Sequence, residues 1–556
     1  MAIRSGIPIT RKLPSQPSPV CQQVFQLLLV TNRERNVGAT LRVAGGWVRD
    51  ALLGKNPHDI DIAVESPSTA DQPAMNGEAF AAHIAAYQRE HNMEEGTISV
   101  VNRSDTAQIT ICGMPIEFSG LKGGVNGQPA TPATDAAMRD FTVNALYYNL
   151  HTQQVEDYTT GLEDMQRAVL RCPFNPLDTL NYDPLRIFRG VRFAGQLGYE
   201  LDASVVECLQ VHGMSTLFPA LKNTISAERI AVELIKALGG VDPGRCLHIM
   251  NSSQLLYAVV LVERYFVRSD RGAPTFGGPT RSDTIPTRIE HTVVTPDMTQ
   301  LVGTAATTSH SQVTAQVAVR GCEWLPMALN LCIPIQVADA EVRTRCSFYA
   351  ILPCLLQEPS FPDAVLADQD KPRFEIQKIR VQAILNHNLK LPTRIATGVI
   401  AMMKAGLLVT PHFPSLLSEL STPEAQPPTT MRITGEKREA VYFALKALKD
   451  EPNQTELFHF VLAFCSLDCF GVSDDGKWKS ALDIVFDGIS AESSLHELVK
   501  TPARVKGNVL QTKLNAANKD LGKLLELQQI YLVHHPDATE DDVVAAMKDQ
   551  YQGPQA

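Results

Sequence analysis

Residues Leu41–Val64 read LRVAGGWVRDALLGKNPHDIDIAV. LRVA has strand character, two glycines open a short helical stretch, WVRDALLG, and HDIDIAV resumes as a strand. Gly45 and Gly46 carry no side chain, so another group can approach the backbone closely, and a helix N-terminus offers N–H groups to an anion. Arg49, one turn in, can add a charge-assisted contact to phosphate. Asp59 and Asp61 stand two residues apart, so in a strand they project from one face, about 7 Å apart along the chain. Carboxylates so placed repel one another without a counter-ion, and such a pair can hold the divalent cations that phosphoryl transfer uses. Each piece alone also suits a tight turn or a strand with a wet face. Together they form the layout of a nucleotidyl-transfer site.

The bulk composition sets the frame around this stretch. At 556 residues the chain is long enough for roughly three or four domains. A hydrophobic share of 44% supports a sizeable core, and a net charge of −10 removes any global electrostatic case for nucleic-acid binding. An RNA partner would have to meet a local basic face. The eleven cysteines include no CxxC pair, which argues against a zinc site and fits a reducing compartment. No run of about 18 apolar residues is free of charge, so no membrane partner is expected. Met1–Asn32 lacks acidic residues and carries Arg4, Arg11 and Lys12 among prolines and serines, a composition compatible with a targeting leader.

Strand-like and helix-like runs alternate to about Cys172, including AFAAHIAAYQREH, AQITICGMPIEFSGLK and TVNALYYNL. Beyond Pro176 the apolar spacing becomes helical, with capping signals at Asp202 and Ser226. Val267–Gln316 is rich in Thr, Ser, Gly and Pro without periodicity, and Ser421–Gly435 has linker composition. The expected organisation is a leader over 1–35, possibly targeting, an α+β head over 36–175 and a helical neck over 176–265. A flexible insert over 266–320, a helical body over 321–435 and a helical tail over 436–556 complete it.

GGWVRDALLG followed by DIDIAV resembles the first motif of the polymerase β-like nucleotidyltransferases, in the form found in class II tRNA nucleotidyltransferases (CCA-adding enzymes) and bacterial poly(A) polymerases. Further stretches resemble the same family in the same order. Met138-Arg139-Asp140 before FTVNALYYNL is similar to its RRD motif, with Met138 in place of the first arginine. PIEFSGLK carries Glu117, a candidate third carboxylate, and Lys122 where arginine is usual. VEDYTTGLEDMQRAVLR resembles the next segment closely. Tyr182-Asp183-Pro184-Leu185-Arg186 stands where the family has EDxxR, with Tyr182 replacing the acid, and TISAERIAVELIKAL resembles its supporting helix. Asp183 and Pro184 also make an ordinary helix start. Arg186, Arg189 and Arg192 recur at intervals of three and share one broad helix face.

The resemblance spans roughly Leu41–Leu238. It implies an α+β fold: a polymerase β-like head with a small mixed or antiparallel sheet, then an all-helical neck, body and tail. It implies template-independent addition of CCA to tRNA 3′ ends from CTP and ATP, with tRNA gripped by its acceptor arm and the protein acting as a monomer. Asp59 and Asp61 would hold Mg²⁺, which activates the primer hydroxyl and stabilises the leaving pyrophosphate. Gly45, Gly46, Arg49 and Arg139 would bind triphosphate and sugar, with Asp140 selecting the ribose. Asp183 and Arg186 would read the base, while Arg189 and Arg192 contact phosphate or brace the reader. Poly(A) synthesis, partial CC or A addition, and an inactive RNA-binding relative are the alternatives. The expected location is cytoplasmic or nuclear, with mitochondria as a further site.

Overall fold

The computed structural model describes residues 7–57, 59–66, 75–93, 96–101, 106–124, 129–256, 340–356, 378, 381–421, 433–470 and 476–550. The chain divides into two units, one of residues 1–229 with 253–255 and one of 230–252 with 256–556. The expected insert over 266–320 and most of the linker before residue 433 lie outside the described residues.

The first unit is built on an eight-stranded mixed sheet. Its strands are β1 (Ile9–Arg11), β2 (Thr40–Ala44), β3 (Ile60–Glu65), β4 (Ile98–Val101), β5 (Thr106–Ile111), β6 (Met114–Gly120), β7 (Leu146–Asn149) and β8 (Gln154–Asp157), in the order β1-β8-β7-β2-β3-β6-β5-β4. Neighbours run antiparallel except β3 and β6, which pair in parallel. Period-two alternation gives the sheet two different faces. Leu41, Val43, Ile60, Ile62, Val64, Ile116 and Phe118 face the main core. Helices α1 (Pro19–Glu34) and α3 (Gly77–Glu90) supply Val24, Phe25, Leu28, Phe80 and Ile84 to that core. The alternate residues of β3 and β6, Asp61 and Glu117, are open to solvent on the other face.

The expected boundary at residue 35 is corrected here. β1 pairs antiparallel with β8, and α1 is capped by Ser18, whose hydroxyl oxygen accepts from the Cys21 amide at 3.3 Å. α1 buries Cys21, Val24, Phe25, Leu27 and Leu28, an apolar stripe too large to leave in water. Residues 9–34 are therefore part of the head, not a segment ahead of it.

α4 (Pro132–Ala137) lies between β6 and β7, and after β8 come α5 (Gly161–Gln166), α6 (Pro176–Tyr182), α7 (Arg186–Leu197), α8 (Ala203–His212) and α9 (Phe218–Thr224). α7 buries Ile187, Phe188, Val191, Phe193 and Ala194 and turns its arginines the other way. Gly198, in the left-handed region at φ 70°, stops it.

Among its described residues, the regular elements of the second unit are all helices. Thr393–Leu420 is long and apolar enough, by length and composition, to cross a membrane, but half of it is buried inside the fold. Ile395, Val399, Met402 and Val409 are buried within it, and Gly398 and Gly406 let Arg345 and Tyr349 pack close to its backbone. These are the marks of a core helix. A second anchor is Arg438, fully buried, which donates to Glu492 at 2.5 Å, to the Val533 carbonyl at 2.8 Å and to the Ser494 hydroxyl at 2.7 Å.

Candidate active site

β3 and β6 lie side by side with Asp61 directly opposite Glu117, so two carboxylates share one face of the sheet at the strand spacing of about 4.8 Å. Asp59 stands just before the strand and is also exposed. Asp61 reaches solvent through the cleft yet is walled by protein. That burial, then the charge of Glu117 and that of Asp59, pushes its carboxyl up to about 6, against the opposing pull of Arg139 and Arg189. Among the described residues no three His, Cys, Asp or Glu side chains close into a metal cage. An open carboxylate pair is nonetheless a suitable donor set for a hard cation that keeps water and takes its remaining ligands from a bound phosphate.

Beside these carboxylates β2 ends and the chain turns through Gly45 into α2 (Gly46–Leu52). Gly45 has φ 75° and ψ −131°, and a Cβ there would lie 3.1 Å from Nη1 of Arg139, so the turn demands glycine twice over. Its amide donates to the Leu146 carbonyl at 3.0 Å, which fixes the turn to β7. Arg49 is buried rather than extended. It forks onto Asp50 with two bonds of 2.9 Å, donates to Asn144 Oδ1 at 2.5 Å, and has its guanidinium carbon 5.2 Å from the Phe193 ring centroid.

Asn144 joins the two halves of the cleft. Its side-chain amide donates to Asp140 Oδ1 at 3.1 Å while its oxygen takes Arg49. Asp140 also accepts from the Phe141 amide at 2.8 Å and, on Oδ2, from both Nε and Nη2 of Arg189 at 2.8 and 2.6 Å. Burial works against the Asp140 charge, but Arg189 and these bonds hold its carboxyl below the ordinary range. Both carboxylate oxygens are thus engaged, Oδ1 within the motif and Oδ2 with Arg189 of α7. Arg139 donates to Asp135 at 3.1 and 3.2 Å and to the Tyr147 hydroxyl at 3.1 Å, and Tyr147 in turn donates to Asp135 at 2.5 Å. Burial opposes the Arg139 charge, and Tyr147 and Asp135 more than restore it.

α6 ends at Tyr182, and Asp183 leads into α7 by accepting the Leu185 amide at 3.2 Å on Oδ1. Its other oxygen faces Arg229 at 3.9 Å. Arg186 donates to the carbonyls of Met138 at 2.6 Å, Arg139 at 3.3 Å and Thr179 at 3.2 Å. The contact to residue 138 runs through its carbonyl oxygen, so a methionine there keeps it. The ring of Phe193 lies amid three guanidinium groups, with Arg192 at 4.2 Å, Arg49 at 5.2 Å and Arg189 at 5.4 Å.

Most of these side chains line one cavity of about 660 Å³. It brings together every residue singled out from the sequence: Gly45, Gly46, Arg49, Asp59, Asp61, Glu117, Arg139, Asp140, Asp183, Arg186, Arg189 and Arg192. It also adds Asp135, Asn144, Tyr182, Phe193 and Arg229, which sequence reading left unassigned or gave no direct part. Asn144 had a usable signal, its place within FTVNAL just after Arg139-Asp140. The Arg229 signal was its helix, read only as support.

A mixed sheet with carboxylates on one face, a glycine turn beside them and an arginine-rich cleft is the arrangement that the resemblance to the polymerase β-like nucleotidyltransferases implies. Residues 41–171 match the poly A polymerase head domain family. The chain is 34% identical over 236 residues to the mitochondrial CCA tRNA nucleotidyltransferase of Saccharomyces cerevisiae, covering 39% of this chain and 41% of that protein. It is 32% identical over 252 residues to the tRNA nucleotidyltransferase cca2 of Schizosaccharomyces pombe, covering 41% and 49%. The matches thus span less than half the length of these curated relatives. Among solved structures, the Thermotoga maritima CCA-adding enzyme complexed with tRNA superposes with a TM-score of 0.53 at 17% identity, covering 98% of this chain and 99% of that one, a likeness of fold. Residues 41–171 thus carry a poly A polymerase head domain, and the chain as a whole has the fold of the CCA-adding enzymes.

Proposed function

We propose that this protein adds C, C and A to the 3′ end of tRNA from CTP and ATP, without a nucleic-acid template. The observation that carries the reading is the single cavity in which an open carboxylate cluster faces an arginine cluster and a candidate base reader. Asp59 and Asp61 are the residues that would hold Mg²⁺, and Glu117 flanks Asp61 on the neighbouring strand. When bound, Mg²⁺ supplies Lewis-acid activation of the attacking hydroxyl and charge neutralisation on the phosphates. The chain's own residues do the rest. The Gly45–Gly46 turn accepts the triphosphate close to the backbone, and Arg139, with Arg49 behind the turn, supplies positive charge already fixed in place. Asp140 holds Arg189 and so positions α7 against the head, which adds a bracing part to its expected role at the ribose.

Base choice follows from donor and acceptor counts. Cytosine and adenine each present an amino group beside an unprotonated ring nitrogen, whereas uracil and guanine present a carbonyl beside an N–H. The Asp183 oxygen that faces Arg229 loosely can accept from the amino group. Arg186 can donate to the ring nitrogen by exchanging one of its bonds to a backbone carbonyl. The tRNA acceptor arm is the proposed RNA partner, met by local positive charge rather than by the net charge of −10.

Purified protein incubated with tRNA lacking its 3′ end, with CTP, ATP or both, tests the reading. Two C residues followed by one A support it. Long adenosine tails point to poly(A) synthesis, the description carried by the head-domain family itself. Mitochondrial location belongs to the same reading, suggested by the name of the yeast relative and the acid-free N-terminus. Since β1 and α1 belong to the fold, a cleaved leader would end before Ile9, which N-terminal sequencing of the mature protein decides.

A further inference from the structure

One aromatic side chain in the cavity is left over by this account. Tyr182 closes α6 immediately before Asp183, lines the cavity and is 67% exposed. The other large rings that meet arginines here, Tyr147 and Phe193, are buried and serve to space the guanidinium groups. Tyr182 differs: its ring centroid lies 5.3 Å from the Arg186 guanidinium carbon, and it lines the cleft while staying largely exposed. The remaining lining is mostly charged or polar, with nothing else of that size and exposure. Lone exposed aromatics are ordinary on protein surfaces. An exposed ring pinned beside a cation in a polar cleft is the form that base-stacking platforms take.

We propose that Tyr182 is a specificity-neutral stacking residue for the nucleobase of the incoming nucleotide. This rests on the reading of the cavity as the nucleotide site. Arg186 and Asp183 offer hydrogen bonds to the edge of a base, and edge contacts leave both of its flat faces without partners. A base that reaches Arg186 comes alongside the ring packed against that same guanidinium. Stacking on the ring then excludes water from one face and strengthens the edge contacts, without distinguishing cytosine from adenine, since both present a π face. Tyr182 so adds affinity for either nucleotide, while Asp183 and Arg186 choose between accepted and rejected bases.

The test compares the wild type with Tyr182→Ala and Tyr182→Phe in steady-state CTP and ATP incorporation, and in equilibrium binding of ATP and CTP without tRNA. Loss of stacking predicts a rise of about tenfold in KM and in dissociation constant for both nucleotides in the alanine variant, with kcat changed less than about twofold. Tyr182→Phe restores the affinity, because the ring and not the hydroxyl supplies it. Alanine affinities equal to wild type overturn the proposal, as does a phenylalanine variant as weak as alanine. Weaker tRNA binding with unchanged nucleotide binding also overturns it, by assigning the ring to the primer. Thermal melting checks that the exposed substitution leaves the fold intact. A wild type that binds CTP and ATP but incorporates neither removes the tRNA reading while leaving the binding comparison at Tyr182 decisive.

Discussion

At one end of the cavity, Asp59, Asp61 and Glu117 form no described ion pair, and at the other Arg49, Arg139, Arg186 and Arg189 each donate to at least one protein acceptor. The anions stand open and the cations are locked. The contrast makes physical sense if a cation and an anion arrive from outside by different routes. Carboxylates awaiting a hydrated metal need no fixed partner, and their mutual repulsion is relieved when the metal binds. Arginines awaiting a phosphate perform best when their rotamers are already fixed, because a loose guanidinium would lose its freedom on every turnover. The folded protein stores unfavourable charge at one end and pre-organised charge at the other.

Removing a carboxylate strikes the open end hardest. Asp59→Ala or Asp61→Asn is expected to lower nucleotide incorporation by at least about a thousandfold, some 4 kcal/mol of barrier. Binding of ATP measured without metal should change little, since the locked arginines remain. Incorporation unaffected by Asp59→Ala breaks the assignment of the open end. At the locked end, Arg186→Ala is expected to reduce discrimination against UTP and GTP by about ten- to a hundredfold, the worth of one lost base contact, read as a ratio of kcat/KM values. Unchanged nucleotide choice would leave Arg186 as a tether of Met138, Arg139 and Thr179 alone. Asn144→Ala removes the bridge between Arg49 and Asp140 and leaves two buried charges each short of a partner. It should destabilise the first unit by about 1–3 kcal/mol in denaturant unfolding while the helical unit melts as before.

The same division explains what could be read from the sequence. The open end was legible because its chemistry demands a residue type at a fixed short spacing, as in DID, and because the glycine turn has few substitutes. A sheet-bearing first part and the helices after Pro176 were legible from period and turn residues, whereas the mixed character of the sheet came only from the resemblance. The locks were not. Asn144 matters because it meets a side chain 95 positions earlier, and Arg186 because its partners lie 47 and 48 positions back. Such pairings have no local signature. Asp135 carries no local sign of its part, which appears only where the fold places it under both Arg139 and Tyr147. The α1 segment carries a helix-spaced stripe of Val24, Phe25 and Leu28, yet the stripe itself does not say which core it joins. In the second unit, periodicity revealed helices but no site, since helix packing there is satisfied by apolar volume and by buried pairs such as Arg438–Glu492.

The smallest expected effect is also the sharpest probe of the open end. Asp61 has an ordinary value of 3.8 and stands at about 6 in the fold, raised first by burial and then by Glu117. A protonated carboxyl cannot hold a metal, so at limiting Mg²⁺ incorporation should climb as pH rises through about 6. The folded chain holds this proton more tightly than the unfolded chain does. Ionised Asp61 therefore adds no penalty below about pH 4, a growing one between about 4 and 6, and its full penalty above 6. Asp61→Asn should accordingly melt higher than wild type at pH 7 to 8, with the gap closing at pH 4. Glu117→Gln removes the second cause and leaves the first, so the midpoint of the pH profile should move down toward the ordinary range without reaching it. A midpoint that stays in place would mean that Glu117, though opposite Asp61 in register, does not share its charge environment. The open end would then consist of Asp59 and Asp61 alone.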